Sequence, residues 1–378
     1  FTYDKVDFYL AQNFSRTEYQ REGLYKNGIY ADNSYGKGNS ITFENFGFKG
    51  GLTYKLNGRN YFDFNGLYQT KAPSLRNTFS NARLNNVITP DLQSERVTSA
   101  DASYILKTPK VKARLTGFYT KIQDATEISF FYGEGIGSDD GGDEDTFVSE
   151  IVSGIDKQNM GVELGLEYNI TSTIKATAAA SYGQYIFSDN ARLKTNDDAL
   201  AAAGNNSLTD FGTVYIKNYH QAGMPQTAAS FGLEYRDPNF WWIGANVNYL
   251  ANSYVDFANI LRTDNFSIDS ATGDNYAGAT PETVRAILKQ EKFDSFTLVN
   301  LTGGKSWRIS KANRNTVGFF ASVNNVFDIQ YKTGGFEQSR KATFPDLQAD
   351  QANGTPSFGS KYFYGYGRTF FVNFYINF

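Results

Sequence analysis

Apolar and polar residues alternate with a period of two over twelve long stretches of this chain. In the last stretch, one set of alternate positions is apolar throughout: Phe370, Val372, Phe374, Ile376 and Phe378. Successive side chains leave a strand on opposite faces, so this period predicts β-strands with two unlike faces. The predicted strands are 1–18, 44–57, 60–72, 94–107, 110–131, 147–170, 173–188, 222–236, 240–256, 292–309, 314–327 and 365–378.

The connections between these strands alternate between short and long. The short ones carry turn formers, at Asn57-Gly58, Thr108-Pro109, Thr171-Ser172, Asp237-Pro238-Asn239 and Lys311 to Asn313. Asn-Gly in particular suits a type I′ hairpin. The long ones are 19–43, 73–93, 132–146, 189–221, 257–291 and 328–364. Short turns at one end and long loops at the other are typical of an outer-membrane barrel, with the turns in the periplasm. The predicted fold is therefore all-β, a transmembrane antiparallel up-and-down β-barrel.

The two faces of the strands can be assigned from their charges. In the sixth strand, Val162, Leu164 and Leu166 alternate with Glu163 and Glu167, and carboxylates do not tolerate hydrocarbon. The face with the glutamates is therefore predicted to point into the lumen, together with Lys49, Asp101, Asn246 and Asn248. We expect these side chains to hydrogen-bond water or other lumen groups, and contact with a substrate is the alternative. Trp241 is expected on the outer face as an interfacial anchor. Two loops are predicted to hold short helices, one after Thr280-Pro281 and one capped by Asn196.

Composition supports a membrane barrel and narrows the functions. Aromatic residues make up 16% of the 378 residues and charged residues 20%, while mean hydropathy is −0.45. A barrel with one apolar and one polar face accounts for a chain that is both polar on average and rich in rings. The net charge of −3 favours neither nucleic acid nor an acidic partner. The absence of Cys leaves no disulfide framework.

An enzymatic function is disfavoured by the residues present. The single histidine, His220, lies where a long loop meets the eighth strand, and there is no Cys. The chain has no nucleophile elbow and no clustered pair of acids. We therefore expect no catalytic residues.

Two sets of loop residues are candidates for binding. The acidic stretch from Ser138 to Asp145 has the oxygen ligands of a Ca²⁺ loop, but it lacks the EF-hand spacing, and solvated acidic loops are the commoner case. Loop arginines can grip anions through a bidentate fork, and loop rings can stack on planar ligands. The substrate-contact candidates are Arg76, Arg83, Tyr132, Arg262, Arg285 and Arg340. The alternative is that the rings form an outer aromatic girdle and the charges meet lipopolysaccharide.

Four short motifs, taken in order, resemble those of TonB-dependent outer-membrane receptors. Ala72-Pro73-Ser74 follows Lys71, and Pro90-Asp91-Leu92 precedes Glu95, as in the paired signatures of that family. Asn324-Asn325-Val326-Phe327-Asp328 resembles a third signature, and the strand that ends at Phe378 resembles the last strand of the family. Lys71 and Gln93-Ser94 depart from the usual residues. The loop and strand composition looks most like members from Bacteroidota.

The resemblance implies a barrel of about 22 strands with a plug in its lumen. The whole chain, residues 1–378, is then expected to be the C-terminal part of the barrel domain, with the plug and about ten strands outside it. The implied function is active uptake of a siderophore, haem, glycan or peptide across the outer membrane of a Gram-negative bacterium, with TonB as partner. Further expected partners are lipid, lipopolysaccharide, the barrel assembly machinery through the C-terminal strand, and a surface lipoprotein. The alternatives are a passive 12-stranded channel and a structural subunit of a larger envelope complex.

Overall fold

Twelve long antiparallel strands stand side by side in one sheet that forms part of a barrel wall. The computed structural model describes residues 1–134, 145–202, 204, 206–309, 315–354 and 356–378. The wall follows the order β1-β2-β3-β4-β5-β6-β7-β10-β11-β12-β13-β16. Its strands are β1 Val6–Gly23, β2 Gly36–Lys55, β3 Asn60–Lys71, β4 Glu95–Lys107, β5 Val111–Glu134, β6 Asp145–Asn169, β7 Ile174–Phe187, β10 Thr227–Arg236, β11 Trp241–Ala251, β12 Phe296–Arg308, β13 Thr316–Asn324 and β16 Thr369–Asn377. All twelve predicted strands are confirmed.

Four further strands lie in segments predicted to be loops. β8 Ala191–Asp197 and β9 Leu208–Val214 form a hairpin, and β8 pairs with the outer end of β6 through six residue pairs. β14 Lys332–Phe336 pairs with β15 Lys361–Tyr364. The first predicted loop is also shorter than expected, because β1 continues to Gly23 and β2 already begins at Gly36. The description of 189–221 and 328–364 as simple loops is therefore wrong.

Short helices complete the loop end of the molecule. They are α1 Leu75–Thr78, α2 Asp198–Ala202, α3 Pro281–Ile287 and α4 Phe344–Ala352, with 3₁₀ turns at Asn259–Arg262 and Asp264–Phe266. The helix after Thr280 is confirmed, because the side chains of Thr280 and Thr283 form a reciprocal capping box. The predicted cap at Asn196 is wrong: Asn196 lies in β8, and the Asp197 carboxylate accepts the Ala199 N–H at 2.7 Å instead. Among the residues described, no helix is long and apolar enough to cross a membrane.

The short turns are closed by the side chain of their first polar residue. The Asn57 Oδ1 atom accepts the N–H groups of Arg59 and Asn60 at 2.9 and 3.0 Å. Neither Asn57 nor Gly58 has a positive φ, so the expected type I′ turn is wrong and an Asx turn takes its place. Asp237 accepts the N–H of Asn239 in the same way, at 2.8 Å. The predicted turn at Lys311 to Asn313 lies outside the described residues.

The strand registers separate an apolar outer face from a polar inner face. On the outer face, Val162 is 50% exposed, Phe231 54% and Ile243 53%. So much exposed apolar surface is unstable against water and is the property of a wall that meets lipid. Trp241 belongs to this face and lies beside the Asp237 turn, as expected. On the inner face, Glu163 pairs with Thr116 on one side and Ser181 on the other, which confirms the predicted direction of this strand.

The buried hydrophobic core lies at the loop end, where three long connections pack against the outer ends of β5 and β6. We call segments 188–226, 252–295 and 325–368 the cap. Its core contains side chains from each of these segments and two from β6, Val152 and Ile155. The cap residues in it are Leu193, Val214, Ile216, Phe257, Ile260, Leu261, Phe266, Leu288 and Phe344. A membrane barrel has no such core in its wall, so the cap is the part of this chain that folds as a water-soluble protein does.

Candidate ligand-binding cap and luminal wall

Polar side chains on the inner face of the wall pair with one another across the strands. The Asn65 Nδ2 atom donates to Asp101 at 3.0 Å, and the Ser103 and Thr116 hydroxyls lie 2.9 Å apart. Arg114 donates to both of these hydroxyls, at 3.1 and 3.2 Å. Because these polar groups form hydrogen bonds with one another, the inner face can contact water or a protein surface without burying an unpaired donor or acceptor.

A charged pair lies on the same face near the short turns. Lys112 forms an ion pair with Glu167 at 3.0 Å. Asn248 accepts a hydrogen bond from Ser230 at 2.8 Å, and Lys49 lies over the Tyr9 ring at 5.8 Å from its centre. Because these expected lumen residues contact one another, they form the lining of the wall.

Arg262 holds the cap together from the inside. Its side chain is 1% exposed, and its two Nη atoms grip the Glu337 carboxylate, with Nη2 2.8 Å from Oε1. The same guanidinium donates to the carbonyls of Ala258 and Leu288 at 3.2 and 3.0 Å. It also lies 5.3 Å from the centre of the Tyr219 ring. Burial alone would lower the pKa of Arg262, but the Glu337 carboxylate outweighs burial and raises it.

These contacts join the segments that follow β9, β11 and β13 into one unit. Sequence reasoning proposed Arg262 as a substrate contact, and the structure places it instead in a buried ion pair. A planar, permanently charged fork suits this position, because it can satisfy a carboxylate and two carbonyls at once.

A second candidate, Arg340, lies among buried acids of the cap. Its guanidinium is 5.3 Å from the centre of the Phe131 ring and donates to the Glu337 carbonyl at 3.2 Å. Glu150, in the part of β6 that extends beyond the wall, is fully buried and accepts the Ser129 hydroxyl at 3.0 Å. Burial raises the pKa of Glu150, while the Arg340 charge partly opposes this. Burial raises the pKa of Asp256 as well.

The first two loops are tied to the β8 hairpin across the mouth of the wall. The Tyr30 hydroxyl, in a residue that is 8% exposed, donates to Asp198 at 2.5 Å and accepts from Asn196 at 2.9 Å. Lys194 of β8 forms an ion pair with Asp91 at 2.7 Å. Burial and the Asp198 carboxylate raise the pKa of Tyr30 strongly. We call the Tyr30, Asn196 and Asp198 group the mouth latch, because it joins the connection between β1 and β2 to the connection between β7 and β10, which are six wall strands apart.

A partly enclosed cavity of about 740 Å³ lies within the cap. Its walls come from three elements: α3, the segment that follows β9, and the two 3₁₀ turns. Arg285 and Lys217 are at its edge and are exposed, while the buried Leu261 and Leu288 form part of its floor. Asp264 is the carboxylate in its lining, and it accepts the Tyr215 hydroxyl at 3.4 Å.

The six predicted contact residues are not brought into one cluster. Arg262 and Arg285 line the same cavity, one buried and one exposed, and Arg340 lies elsewhere in the cap. Arg76 and Arg83 are exposed in the connection between β3 and β4. Tyr132 is 73% exposed at the outer end of β5 and packs edge-on against Phe147.

Sequence reasoning missed Lys217, Tyr215 and Asp264 as lining residues of this cavity. The lining residues after β9 are Tyr215, Lys217, Asn218 and Tyr219, which follow no regular period because the chain turns at Asn218. The lining residues of α3 and its C-cap, Pro281, Val284, Arg285 and Leu288, have the spacing of one helical face. The sequence alone does not reveal the cavity, because it does not show that α3 and the segment after β9 face each other.

A family model for the TonB dependent receptor-like β-barrel matches residues 1–326. The chain belongs to this family. No curated protein matches the sequence. Among solved structures, "Copper transporter OprC" is similar with a TM-score of 0.59 and 17% identity, over 98% of this chain and 45% of that one.

Two further receptors of known structure share the fold. The ferric-catecholate import receptor Fiu from K12 E. coli has a TM-score of 0.50 and 15% identity, over 98% of this chain and 42% of that one. The P. aeruginosa receptor FpvA, bound to pyoverdine, has a TM-score of 0.50 and 11% identity, over 100% of this chain and 37% of that one. The chain thus spans less than half the length of these proteins. The predicted family and the partial barrel are both confirmed, and an origin in Bacteroidota stays a prediction.

One signature of the receptor family has a clear physical role here. Asn325 takes a left-handed backbone with φ of 50°, and its side chain accepts the Ile329 N–H at 2.9 Å and donates to the Ile329 carbonyl at 2.8 Å. Asp328, with φ of 55°, accepts the Arg368 N–H at 2.6 Å. Asn and Asp tolerate this conformation and bond their own backbone. The signature therefore fixes the chain where it leaves β13 and where it returns to β16. Asn324 and Phe327 flank this turn, and Phe327 is 66% exposed.

The paired signatures around the second loop also fix backbone. The Pro73 carbonyl accepts the Tyr19 hydroxyl at 3.1 Å, and the Ser74 carbonyl accepts the Thr78 hydroxyl at 3.0 Å. Asp91 is left-handed, with φ of 56°, and carries the ion pair to Lys194. The other signature positions, Ala72, Pro90, Leu92 and Glu95, lie at the ends of β3 and β4 and in the turn between them. Phe378, on the outer side of β16, is 91% exposed.

The proposed calcium stretch cannot be placed. Residues 135–144 lie outside the described part of the chain, and so does the side chain of Asp145. Within the described residues, no group of three or more His, Asp or Glu side chains is arranged to hold a metal ion.

Proposed function

We propose that this chain is part of an outer-membrane active transporter that captures a scarce nutrient at its loop end and passes it inward through the barrel lumen. The family match over residues 1–326 carries this proposal. The receptors with a similar fold are, by their own descriptions, a copper transporter, a ferric-catecholate import receptor and a pyoverdine-binding receptor. In this proposal the wall lies in the outer membrane of a Gram-negative bacterium, with the cap outside.

The division of the molecule into wall and cap supports this assignment. The wall has an apolar outer face and a hydrogen-bonded inner face, as a lumen requires. The cap has its own core, a buried ion pair and a cavity, so it presents a defined surface rather than a set of loose loops. Binding surfaces are commonly built from loops that a rigid scaffold positions.

Energy coupling follows from the location. The outer membrane holds neither a nucleotide pool nor an ion gradient, so release of a tightly bound nutrient needs work delivered from inside. In this family the agent is TonB, acting on parts of the receptor outside this chain. The cargo classes consistent with this proposal are a ferric siderophore, haem, a glycan or a peptide.

The test compares nutrient depletion by the host, by a strain lacking the gene and by a strain lacking TonB activity. An active transporter predicts that the same nutrient stays in the medium of both altered strains. Depletion that continues without TonB would support a passive channel instead. If both strains deplete every nutrient normally and the protein purifies with envelope lipoproteins, a structural subunit would be the better description.

A further inference from the structure

The cap cavity has the construction of a ligand site, because separate elements of the cap face one another across it. α3 and its C-cap contribute positions 281, 284, 285 and 288, the spacing of a single helical stripe. The segment after β9 contributes positions 215, 217, 218 and 219, where the chain turns at Asn218. Its volume of about 740 Å³ is within the range of small-molecule sites, roughly 300–1,000 Å³.

The floor of the cavity is apolar and rigid. Leu261 and Leu288 are 4% and 5% exposed and belong to the cap core, and Val284 packs against that core. Beneath them, the Arg262 and Glu337 pair locks the turn and the end of α3 in place. A ligand that fills this floor therefore needs an apolar body, and the floor is already formed before the ligand arrives.

The rim of the cavity carries donors that the protein itself leaves available. The Arg285 guanidinium is exposed, and within the described residues it has no hydrogen bond or ion pair. Lys217 is 56% exposed, and its ammonium forms a long ion pair of 3.8 Å with Asp189, which is 64% exposed. An exposed pair of this kind contributes little free energy, so a ligand can replace it. The side-chain amides of Asn218 and Asn275 are exposed there too, without side-chain partners in the part of the chain described.

The acceptors at the rim are fewer and are partly used. Asp264 accepts the Tyr215 hydroxyl, and the Thr263 and Ser267 hydroxyls donate to backbone carbonyls. The Tyr219 hydroxyl donates to the Leu288 carbonyl at 2.9 Å. Lys217 and Arg285 thus line an apolar floor together with one carboxylate, Asp264, while Asp189 and Glu282 lie near the two cations but outside the lining. Such a lining suits a ligand that is anionic at one end and apolar at the other.

We propose that the cap cavity binds a small organic carboxylate, with its apolar body on the Leu261, Val284 and Leu288 floor and its carboxylate between Lys217 and Arg285. This inference rests on the proposed function, since it takes the cap to be the capture surface, and it narrows the nutrient to an amphipathic organic anion. Asp264 is then a specificity residue that opposes anions and limits affinity.

The test uses the intact protein in amphipol, with 4-(trifluoromethyl)benzoate as the probe and its neutral amide as the matched control, observed by ¹⁹F NMR. We expect saturable binding of the carboxylate, at least about tenfold tighter than that of the amide, which is the size of one charge-assisted contact. Replacing both cations, Lys217→Gln with Arg285→Gln, should remove this difference. Asp264→Asn should tighten carboxylate binding several-fold.

Matched variants exclude trivial explanations. Arg83→Gln removes an equally exposed arginine outside the cavity and should change nothing. Lys217→Arg keeps the charge and should retain binding, which separates a charge effect from a folding defect. Equal binding of both probes, no binding of the carboxylate, or retained preference in the double variant would overturn the assignment.

The outcome can be separated from that of the proposed function. Probe binding to the purified protein needs no TonB. If carboxylate binding fails while TonB-dependent uptake persists, the cavity assignment is wrong and the transporter stands. If binding is as expected but uptake does not depend on TonB, the transporter proposal is wrong instead.

Discussion

Breaking the ion pair between Arg262 and Glu337 should loosen the cap without disturbing the wall. Removing one partner of a buried ion pair costs about 3–5 kcal/mol, because the other charge stays buried and unpaired. The two partners are not equivalent, since the Arg262 side chain is 1% exposed and that of Glu337 is 19%. Glu337→Met leaves the more deeply buried charge alone and should lie at the upper end of that range. Arg262→Met should lie at the lower end.

Hydrogen exchange measures this loss directly, in peptides that cover 257–291 and 328–364. A cost of about 3–5 kcal/mol raises the opening equilibrium roughly 100- to 4,000-fold, up to the limit set by global unfolding. The double variant Arg262→Met with Glu337→Met should be milder than either single change, because no charge is left buried. Arg285→Met, an exposed arginine in the same cap, is the control. Unchanged exchange in both single variants, or an equal effect of the control, would refute a structural role for the pair.

Three further predictions concern other parts of the chain. Tyr30→Phe leaves the Asp198 carboxylate without its buried hydrogen-bond donor and should destabilise this region by about 1–3 kcal/mol. Hydrogen exchange across 191–202 should then become faster. Exchange that stays slow there would mean that the mouth latch is not needed. Burial raises the pKa of Glu150, so above the ordinary pKa of 4.5 the folded protein keeps a proton that the unfolded chain has lost. Protection of the cap from hydrogen exchange should therefore fall as pH rises above that value. Glu150→Gln should flatten this pH dependence. Ile376→Asp places a carboxylate on the outer face and should lower the free energy of unfolding by up to about 2–4 kcal/mol, and by less near the interface. Asn377→Asp on the inner face is the matched control and should have a mild effect. An equal effect of both changes in an unfolding assay in vesicles would contradict the assigned faces.

The wall was predictable from the sequence because its two faces meet different solvents. Strands such as β6 between Val162 and Tyr168 alternate cleanly, since every second side chain meets lipid and the others meet the lumen. The ends of strands were less predictable. β1 continues to Gly23, and β2 already begins at Gly36. We interpret these ends as lying beyond the lipid, where nothing requires every second side chain to be apolar.

The cap was not predictable for the opposite reason. β8 alternates between buried and more exposed residues only from Ala191 to Thr195, which is too short a stretch to predict a strand. The polar residues Asn196 and Asp197 that follow are both buried, and in the sequence they resemble a helix start. The buried positions of Arg262, Glu150 and Tyr30 depend on partners far away in the chain, which no local pattern contains. Of the candidate site, sequence reasoning named Arg285 as a substrate contact, and this stays a prediction; the structure places Arg285 exposed at the edge of the cavity. The cavity itself forms only where α3 faces the segment after β9.

The way β8 joins the wall has a consequence for how such proteins diversify. β7 pairs directly with β10 through nine residue pairs, while the backbone of the hairpin between them pairs with the outer end of β6. A change in the length of residues 188–226 therefore leaves the alignment of β7 and β10 unchanged, although Leu193 and Val214 of the hairpin still have to fill the cap core. Variation at the loop end is thus limited by contacts within the cap and not by the register of the wall.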